Sequence, residues 1–178
     1  VVAIQLLAEL VSNKGLNAQY VTKNAAPRNV YFEELKRDKY KLSYVKNLFK
    51  GSGNYVDCPK DAFDCLVVDE AHRLNAKSGM FQNLGENQIK EIIQASKVSV
   101  FFIDENKVVT TKDIGSVAEI KKWADICGSQ VFCDDSTKLT SQFRCNGSDG
   151  YIAFIDDLLG IRTTANFDGF DMEYDMQV

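Results

Sequence analysis

The fold is decided by residues 62–74, which read AFDCLVVDEAHRL. A short apolar run, Cys65 to Val68, ends abruptly at two adjacent carboxylates, Asp69 and Glu70. An apolar run of this length between polar residues is typical of a strand that is buried in a parallel sheet. Ligand sites of open α/β sheets lie just beyond the carboxyl ends of the strands, so we expect both carboxylates to lie at a functional edge.

Adjacent carboxylates at such a strand end have a specific use in nucleotide hydrolysis. The first holds Mg²⁺, usually through water, and the second orients or deprotonates the attacking water. The alternative is a strand that ends in a solvated acidic turn without chemistry. The apolar run followed by Asp69, Glu70, Ala71 and His72 is too specific for that alternative and favours a Walker B element.

The size and composition of the chain are those of a soluble α/β protein. Its 178 residues suffice for one domain with a hydrophobic core, and 45% of them are hydrophobic. No apolar run approaches the roughly 18 residues that a membrane helix needs, and the apolar opening lacks the basic leader of a signal peptide. Five cysteines without CxxC spacing predict reduced thiols in a cytoplasmic protein rather than a zinc site.

The charge is distributed unevenly along the chain. Residues 1–50 contain nine Lys/Arg and four Asp/Glu, a net charge of +5. The remainder contains twelve and twenty-one, a net charge of −9. A basic first third leaves room for one face that follows nucleic-acid phosphates, although an ordinary solvated surface would have the same composition.

Hydrophobic periodicity predicts helices and strands that alternate along the chain. The predicted helices are residues 1–11, 27–37, 41–50, 87–96, 116–127 and 148–159. The predicted strands are residues 18–21, 65–68, 98–103, 130–133, 138–141 and 171–178. We expect the helix at 1–11 and the strand at 98–103 to be buried, because both are almost wholly apolar. With no internal repeat or linker, this order predicts one domain, residues 1–178, with a mostly parallel sheet covered on both faces.

Four further segments surround the Asp69–Glu70 pair in a specific order. Thr22-Lys23 ends a predicted strand, Ile103-Asp-Glu-Asn-Lys107 ends another, and the runs Asp113-Ile-Gly-Ser-Val117 and Ser141-Gln-Phe-Arg-Cys-Asn-Gly-Ser-Asp149 follow. With these segments the chain resembles superfamily-1-like P-loop helicases and ATPases. It is most similar to the Schlafen group 3-like DNA/RNA helicase domain, and the resemblance covers essentially the whole chain. It implies a three-layer α/β/α, RecA-like P-loop NTPase core.

The resemblance also implies roles for residues around a nucleotide. Asp69 would hold Mg²⁺ through water, and Glu70 would activate the attacking water. Asp104 and Lys107 belong to the motif that senses the terminal phosphate of ATP. Gln142 and Arg144 match a QxYR-type motif at the catalytic centre, in which the arginine reaches the γ-phosphate and stabilises transition-state charge. For Arg144, an ion pair with Asp149 or another acid is the alternative.

Nucleic-acid contacts follow from the same resemblance. Thr22, Lys23 and Asn24 match the segment that touches the backbone of a single strand, although Lys23 as a solvated surface lysine is an equal alternative. His72 would lie between the nucleotide and nucleic-acid sites and couple them, with a structural hydrogen bond as the alternative.

The sequence departs from the family pattern at two places. It contains no G-x-x-x-x-G-K-[ST] loop, and the glycine-rich turn at residues 51–54 lacks the required Lys-Ser/Thr. We expect this loop and the first strand of the sheet to precede Val1 in a longer protein, and we expect little ATP binding by the 178 residues alone. The second departure is Lys107, which replaces the glutamine of an Asp-x-x-Gln motif and cannot accept a hydrogen bond from water.

These patterns predict the motor core of an ATP- and Mg²⁺-dependent helicase or translocase that acts on DNA or RNA, with single strands the expected form. The resemblance implies a second RecA-like domain elsewhere in the parent protein, and no association with membranes is expected. The main alternative is a scaffold or regulatory module that binds nucleic acid or protein without hydrolysis, and a nucleotide-dependent switch attached to a nuclease is a third. Oligomerisation through exposed strand edges is a further hypothesis.

Overall fold

The fold comes from a computed structural model that describes residues 2–25, 41–79, 81, 83–107 and 110–139. The chain divides into two compact units, residues 1–131 and 132–178, and only residues 132–139 of the second belong to the described part. The organisation as one domain stays a prediction. The helices expected at 27–37 and 148–159 and the strand expected at 171–178 lie outside the described residues.

The first unit is built on a sheet of four parallel strands in the order β2-β1-β3-β4. The strands are β1 (Ala18–Val21), β2 (Phe49–Lys50), β3 (Phe63–Val68) and β4 (Ser96–Phe101). β1 has the predicted bounds, and β3 contains the predicted strand at residues 65–68 and begins two residues earlier.

Four helices whose bounds lie within the described residues connect and cover these strands. They are α1 (Val2–Ala8), which continues as a π-helical turn (Glu9–Asn13), α2 (Leu42–Leu48), α3 (Gln88–Ala95) and α4 (Val117–Ile126). The last two begin at predicted positions because a side chain caps each. The Asn87 side chain accepts hydrogen bonds from two backbone amides of α3, and Ser116 accepts one from the amide of Glu119 in α4. Shorter 3₁₀ turns lie at Ser52–Tyr55, Ala71–Arg73, Glu105–Lys107 and Asp135–Thr137.

The two middle strands, β1 and most of β3, are buried on both faces of the sheet, to which successive side chains of a strand point in turn. Leu66 and Val68 of β3 pack in one hydrophobic cluster with residues of α3 and α4. Cys65 and Val67 pack in a second cluster with residues of α1 and α2. The predicted fold class, a three-layer α/β/α core with a parallel sheet, is therefore confirmed.

Two elements that we expected to be buried are partly exposed. α1 buries only Ala3 and Leu7, because it lies on one face of the sheet and a helix in that position buries a single stripe. In β4 the side chain of Val98 is 54% exposed, and within the described residues β4 pairs with β3 alone.

The secondary structure predicted for two other segments was wrong. The helix predicted at residues 41–50 ends at Leu48, and Phe49–Lys50 form β2 instead. Residues 130–133, predicted as a strand, are irregular and exposed, since no strand of the described sheet pairs with them. Residues 138–139 are also irregular, and the remainder of the strand predicted at 138–141 lies outside the described part.

Candidate functional site

Three parallel strands end side by side at one edge of the sheet, which we call the carboxyl edge. The register pairs Val21 of β1 with Val68 of β3, and Val68 with Phe101 of β4. The pairing extends one residue further, since the amide of Asp69 donates to the carbonyl of Val21 over 2.8 Å and the amide of Phe102 donates to that of Val68 over 2.8 Å. The predicted segments at Thr22, Asp69 and Asp104 therefore follow neighbouring strands, as the sequence indicated.

The carboxylate of Asp69 is held by one hydrogen bond at each oxygen. Oδ1 accepts a hydrogen bond of 3.0 Å from the backbone amide of Glu70, and Oδ2 accepts one from the hydroxyl of Tyr20. Tyr20 lies in β1 and is almost completely buried. The orientation of Asp69 is thus fixed from the neighbouring strand, by a residue that the sequence did not single out.

Glu70 has an uncommon backbone conformation. Its φ of 55° and ψ of 44° lie in the left-handed region, which costs a residue with a Cβ atom about 1–2 kcal/mol. The conformation turns the chain sharply from β3 into the 3₁₀ turn Ala71–Arg73, whose first amide donates to the carbonyl of Phe102 over 2.9 Å. Strain of this kind concentrates at functional sites. The side chain of Glu70 is 38% exposed, so a ligand at the carboxyl edge can reach it.

His72 connects the ends of β3 and β4. Its buried ring accepts a long hydrogen bond of 3.4 Å at Nδ1 from the backbone amide of Asp104, and its Nε2 lies 3.3 Å from Oε2 of Glu70. In a neutral imidazole one nitrogen donates and the other accepts. Because Nδ1 faces an amide, we assign the proton to Nε2, the nitrogen that lies near the Glu70 carboxylate.

Asp104 and Lys107 form an ion pair across a short turn. Oδ2 of Asp104 lies 3.3 Å from Nζ of Lys107, and Oδ1 accepts a hydrogen bond of 3.2 Å from the amide of Asn106. The next residue, Glu105, points elsewhere, since its carboxylate accepts a hydrogen bond of 2.9 Å from the amide of Val117 at the start of α4. Asp104, and not Glu105, is therefore the acid of this segment that interacts with Lys107.

The segment Thr22–Asn24 follows β1 and is more enclosed than its sequence indicated. Thr22 is buried, and its hydroxyl accepts a hydrogen bond of 3.4 Å from the amide of Asn24. The ammonium of Lys23 donates to Oδ1 of Asn75 and to Oδ1 of Asp113, each over 2.9 Å. Lys23 is thus held in an ion pair and is 26% exposed, which differs from a freely solvated lysine.

Asp113 is the most enclosed acid of the candidate site. Burial raises its pKa, but hydrogen bonds from Lys23 and from Thr110 outweigh burial and lower the pKa to about 2. Asp113 therefore stays ionised at neutral pH. The segment that contains it resembled the helicase family, but its spacing gave no sign that Asp113 would meet Lys23, which lies 90 positions earlier.

The oxygen ligands of the carboxyl edge fit Mg²⁺. In proteins this ion commonly takes one or two carboxylates and completes its shell with water and substrate phosphates. Asp69 has lone pairs left on both oxygens after its two hydrogen bonds, and Glu70 lies next to it. Within the described part of the chain no three His, Cys, Asp or Glu side chains cluster closely enough to hold a metal by themselves. The ion would therefore depend on water and nucleotide oxygens.

The structure brings together most, but not all, of the residues that the sequence indicated. Gln142 and Arg144 lie outside the described residues, so their proposed contact with the nucleotide stays a prediction. The sequence patterns did not reveal that position 115 requires glycine. A Cβ atom there would lie 1.9 Å from the carbonyl oxygen of Ala71, so this close approach excludes any side chain.

Comparisons with known proteins place the chain in one family. No helix among the described residues is long and apolar enough to cross a bilayer. No curated protein and no solved structure matches the chain. The family profile described as Schlafen group 3, DNA/RNA helicase domain, matches residues 1–178, which is the whole sequence. The chain therefore belongs to the Schlafen group 3 DNA/RNA helicase domain family.

Proposed function

We propose that this chain is the motor core of an ATP- and Mg²⁺-dependent helicase or translocase. The family supports a helicase-like role on nucleic acid in general. The observation that supports ATP- and Mg²⁺-dependent hydrolysis in particular is the Asp69–Glu70 pair at the carboxyl edge. His72 lies beside this pair and contacts both Glu70 and the backbone amide of Asp104, after β4. Phosphoryl transfer to water needs this combination of a metal-binding acid and a water-orienting acid.

In the proposed reaction, Asp69 would hold Mg²⁺ through water, and the ion would supply positive charge for the phosphate oxygens of ATP. Glu70 orients the attacking water and takes its proton as the water oxygen bonds to the γ-phosphorus. The bond between this phosphorus and its bridging oxygen breaks, and ADP leaves. The partly exposed carboxylate of Glu70 and its contact with His72 support this role. His72 keeps Glu70 at a fixed place relative to Asp104, so the water and the terminal phosphate are positioned together.

The remaining roles in the proposal follow the family resemblance. Arg144, supported by Gln142, stabilises negative charge on the γ-phosphate. Lys107 leaves its ion pair with Asp104 to meet the same phosphate, as a point charge in place of an amide. The phosphate-binding loop, which these 178 residues do not contain, and a second RecA-like domain come from other parts of the parent protein.

For nucleic acid we propose single-stranded DNA or RNA that lies along the end of β1. Thr22, Lys23 and Asn24 form this end, and Lys23 offers a partly exposed ammonium to a backbone phosphate. A phosphate contact of this kind is independent of base sequence and weakens with salt.

A second candidate function is a scaffold that binds nucleic acid or protein without hydrolysis. Lys107 favours it, because a lysine in place of the glutamine of the Asp-x-x-Gln motif cannot accept a hydrogen bond from the attacking water.

The two functions are separated by nucleic-acid-stimulated ATPase activity of the full-length parent protein. We expect Glu70→Gln to lower the stimulated kcat at least about 100-fold, the usual effect of removing a general base, while ATP binding persists. Glu105→Gln is the matched control, since Glu105 also follows a strand of the sheet but binds the first turn of α4. Its rate should equal that of the wild type. Equal rates for Glu70→Gln and the wild type would favour the scaffold.

A further inference from the structure

Asp113 joins three segments that are far apart in the sequence. Its fully buried carboxylate contacts Lys23 at the end of β1, with 2.9 Å between Oδ1 and Nζ. It also contacts Arg73 in the turn after β3, with 3.0 Å between Oδ2 and Nε. Asp113 itself lies in the loop between β4 and α4, where the amide of Thr110 donates to Oδ2 over 3.0 Å. One carboxylate therefore balances two cations from two strand ends.

Each of these cations lies next to a group that the proposed function uses. Lys23 belongs to the segment Thr22–Asn24, which we assign to the nucleic-acid backbone. Arg73 directly follows His72 in the 3₁₀ turn, and His72 contacts Glu70. Asp113 is thus the shared partner of the proposed polymer site and of the turn that positions the proposed catalytic base.

The backbone around Asp113 is in direct contact with that turn. The amide of Ile114 donates to the carbonyl of Leu74 over 2.8 Å. A Cβ atom on Gly115 would lie 1.9 Å from the carbonyl oxygen of Ala71 and 2.7 Å from Cα of His72. No space separates the Asp113 segment from the His72 turn, so a displacement of one moves the other.

The contacts of Lys23 allow a phosphate to compete with Asp113. An ammonium has three N–H donors, and two of those on Lys23 point to Asn75 and Asp113. The side chain is 26% exposed, so an incoming phosphate can reach it. The Nε–H of Arg73, in contrast, is buried and forms no aligned hydrogen bond within the described residues, although it lies beside Asp113. When a phosphate draws Lys23 away, Arg73 becomes the remaining cation for this carboxylate.

We propose that Asp113 is a positioning residue that couples phosphate binding at Lys23 to the placement of His72 and Glu70. The inference rests on the proposed function and deepens it, since it names the link between polymer and hydrolysis. The ligand recognised is a backbone phosphate of single-stranded nucleic acid, which takes the place of Asp113 at the ammonium. Arg73 lies in the same turn as His72, so the loss of the contact between Lys23 and Asp113 alters the position of this turn through Arg73.

The test compares wild type, Asp113→Asn and the control Asp125→Asn, whose exposed side chain lies on α4, in the full-length protein. ATPase is measured without polymer and with saturating oligodeoxythymidine or oligouridine. We expect Asp113→Asn to keep the KM for ATP and to lower the stimulation, which is the ratio of the stimulated kcat to the basal kcat, about tenfold, within the usual range of coupling between sites. Its affinity for the polymer should equal or exceed that of the wild type, because Lys23 is released. Asp125→Asn should behave as the wild type.

A double-mutant cycle distinguishes coupling from a structural role. If Asp113 acts through Lys23, Lys23→Met combined with Asp113→Asn loses no more stimulation than the stronger single variant. Additive losses, a parallel fall of basal and stimulated rates, or weaker polymer binding by Asp113→Asn would overturn the inference. If Asp113→Asn does not fold, Arg73→Gln is the deciding variant, because it leaves the Lys23–Asp113 pair intact and should lower the ratio of the stimulated rate to the basal rate. Full stimulation of Arg73→Gln would then overturn the inference.

Failure of the proposed function gives a different result. A wild type that no polymer stimulates, with a rate equal to that of Glu70→Gln, removes the motor and this inference together. A stimulated wild type whose stimulation persists in Asp113→Asn removes this inference alone.

Discussion

Asp69 shows how a neighbouring strand determines the orientation of a single functional carboxylate. The side chain lies between the amide of Glu70 and the hydroxyl of Tyr20, so its remaining lone pairs point in defined directions. A carboxylate that is already oriented loses little rotational freedom when it binds an ion. Under the proposed function, Tyr20 is therefore expected to influence the Mg²⁺ dependence of ATP hydrolysis without touching the ion.

Replacing Tyr20 with phenylalanine removes this hydroxyl and keeps the ring. We expect Tyr20→Phe to raise the Mg²⁺ concentration for half-maximal ATPase about 10-fold, as is common when a supporting partner of a metal ligand is lost. The matched control is Tyr55→Phe, since the hydroxyl of Tyr55 is also buried but donates to Gln19 over 3.0 Å. Each variant should lose about 1 kcal/mol of unfolding free energy. Identical Mg²⁺ titrations for the two variants would show that Tyr20 has no such influence.

The sequence revealed the acids of the site but not the residues that hold them. Asp69 and Glu70 were found because they interrupt an apolar run, which is visible in one short stretch. Tyr20 looks like any apolar strand residue, and its partner lies 49 positions away. Asp113 looks like a loop acid, although its carboxylate is buried against Lys23. Contacts between distant segments depend on the register of the strands and on the path of the loops, and short sequence patterns reveal neither.

At the scale of secondary-structure elements, the 3₁₀ turn Ala71–Arg73 is confined from two sides. On one side its first amide donates to the carbonyl of Phe102, just beyond β4. On the other side Gly115 lies against the carbonyl of Ala71. The turn holds His72 and directly follows Glu70, so the packing of this short element sets the geometry of the proposed catalytic acids.

A methyl group at Gly115 should therefore disturb both stability and chemistry. We expect Gly115→Ala to lower the unfolding free energy by about 2–3 kcal/mol, as overpacking does, and to reduce ATPase activity. The control is Gly128→Ala, which meets open space and bears only the cost of its φ of +70°, about 1 kcal/mol. Urea unfolding measures both losses. A midpoint for Gly115→Ala at or above that of Gly128→Ala would contradict the close approach.

Elements were predictable where local and tertiary signals agree. β1 and β3 are short apolar runs in the middle of the described sheet, and α3 and α4 combine an apolar stripe with a capping side chain. Residues 130–133 have strand-forming side chains, yet a strand needs a hydrogen-bonded neighbour and the described sheet supplies none. Phe49–Lys50, in contrast, form a strand because their backbone pairs with that of β1.

At the scale of the whole molecule, the Asp113 ion pairs connect the ends of β1 and β3 to the loop before α4, so they should influence the stability of the folded chain. The pKa of Asp113 is lowered to about 2 in the folded state, against 3.8 for its ordinary value. The folded state thus binds the proton more weakly than the unfolded state. This contribution to stability is complete above about pH 5 and is lost progressively as the pH falls towards 2.

We expect the wild type to lose on the order of 1–2 kcal/mol of unfolding free energy through Asp113 between pH 5 and 2, after allowing for solvent screening at the partly exposed Lys23. Asp113→Asn should be less stable than the wild type at pH 7, and the gap should narrow at low pH. Urea unfolding at several pH values measures the difference. A gap that is constant between pH 7 and pH 3 would show that the charge of Asp113 contributes nothing.

The left-handed backbone at Glu70 also has a consequence for protein engineering. Glycine would relax this position, whereas glutamate leaves it strained by about 1–2 kcal/mol. A campaign that ranks variants by heat resistance alone would therefore favour removal of the side chain that we propose as the water-activating base. Under the proposed function, heat resistance and turnover oppose each other at this one position, so such a screen needs an activity assay beside it.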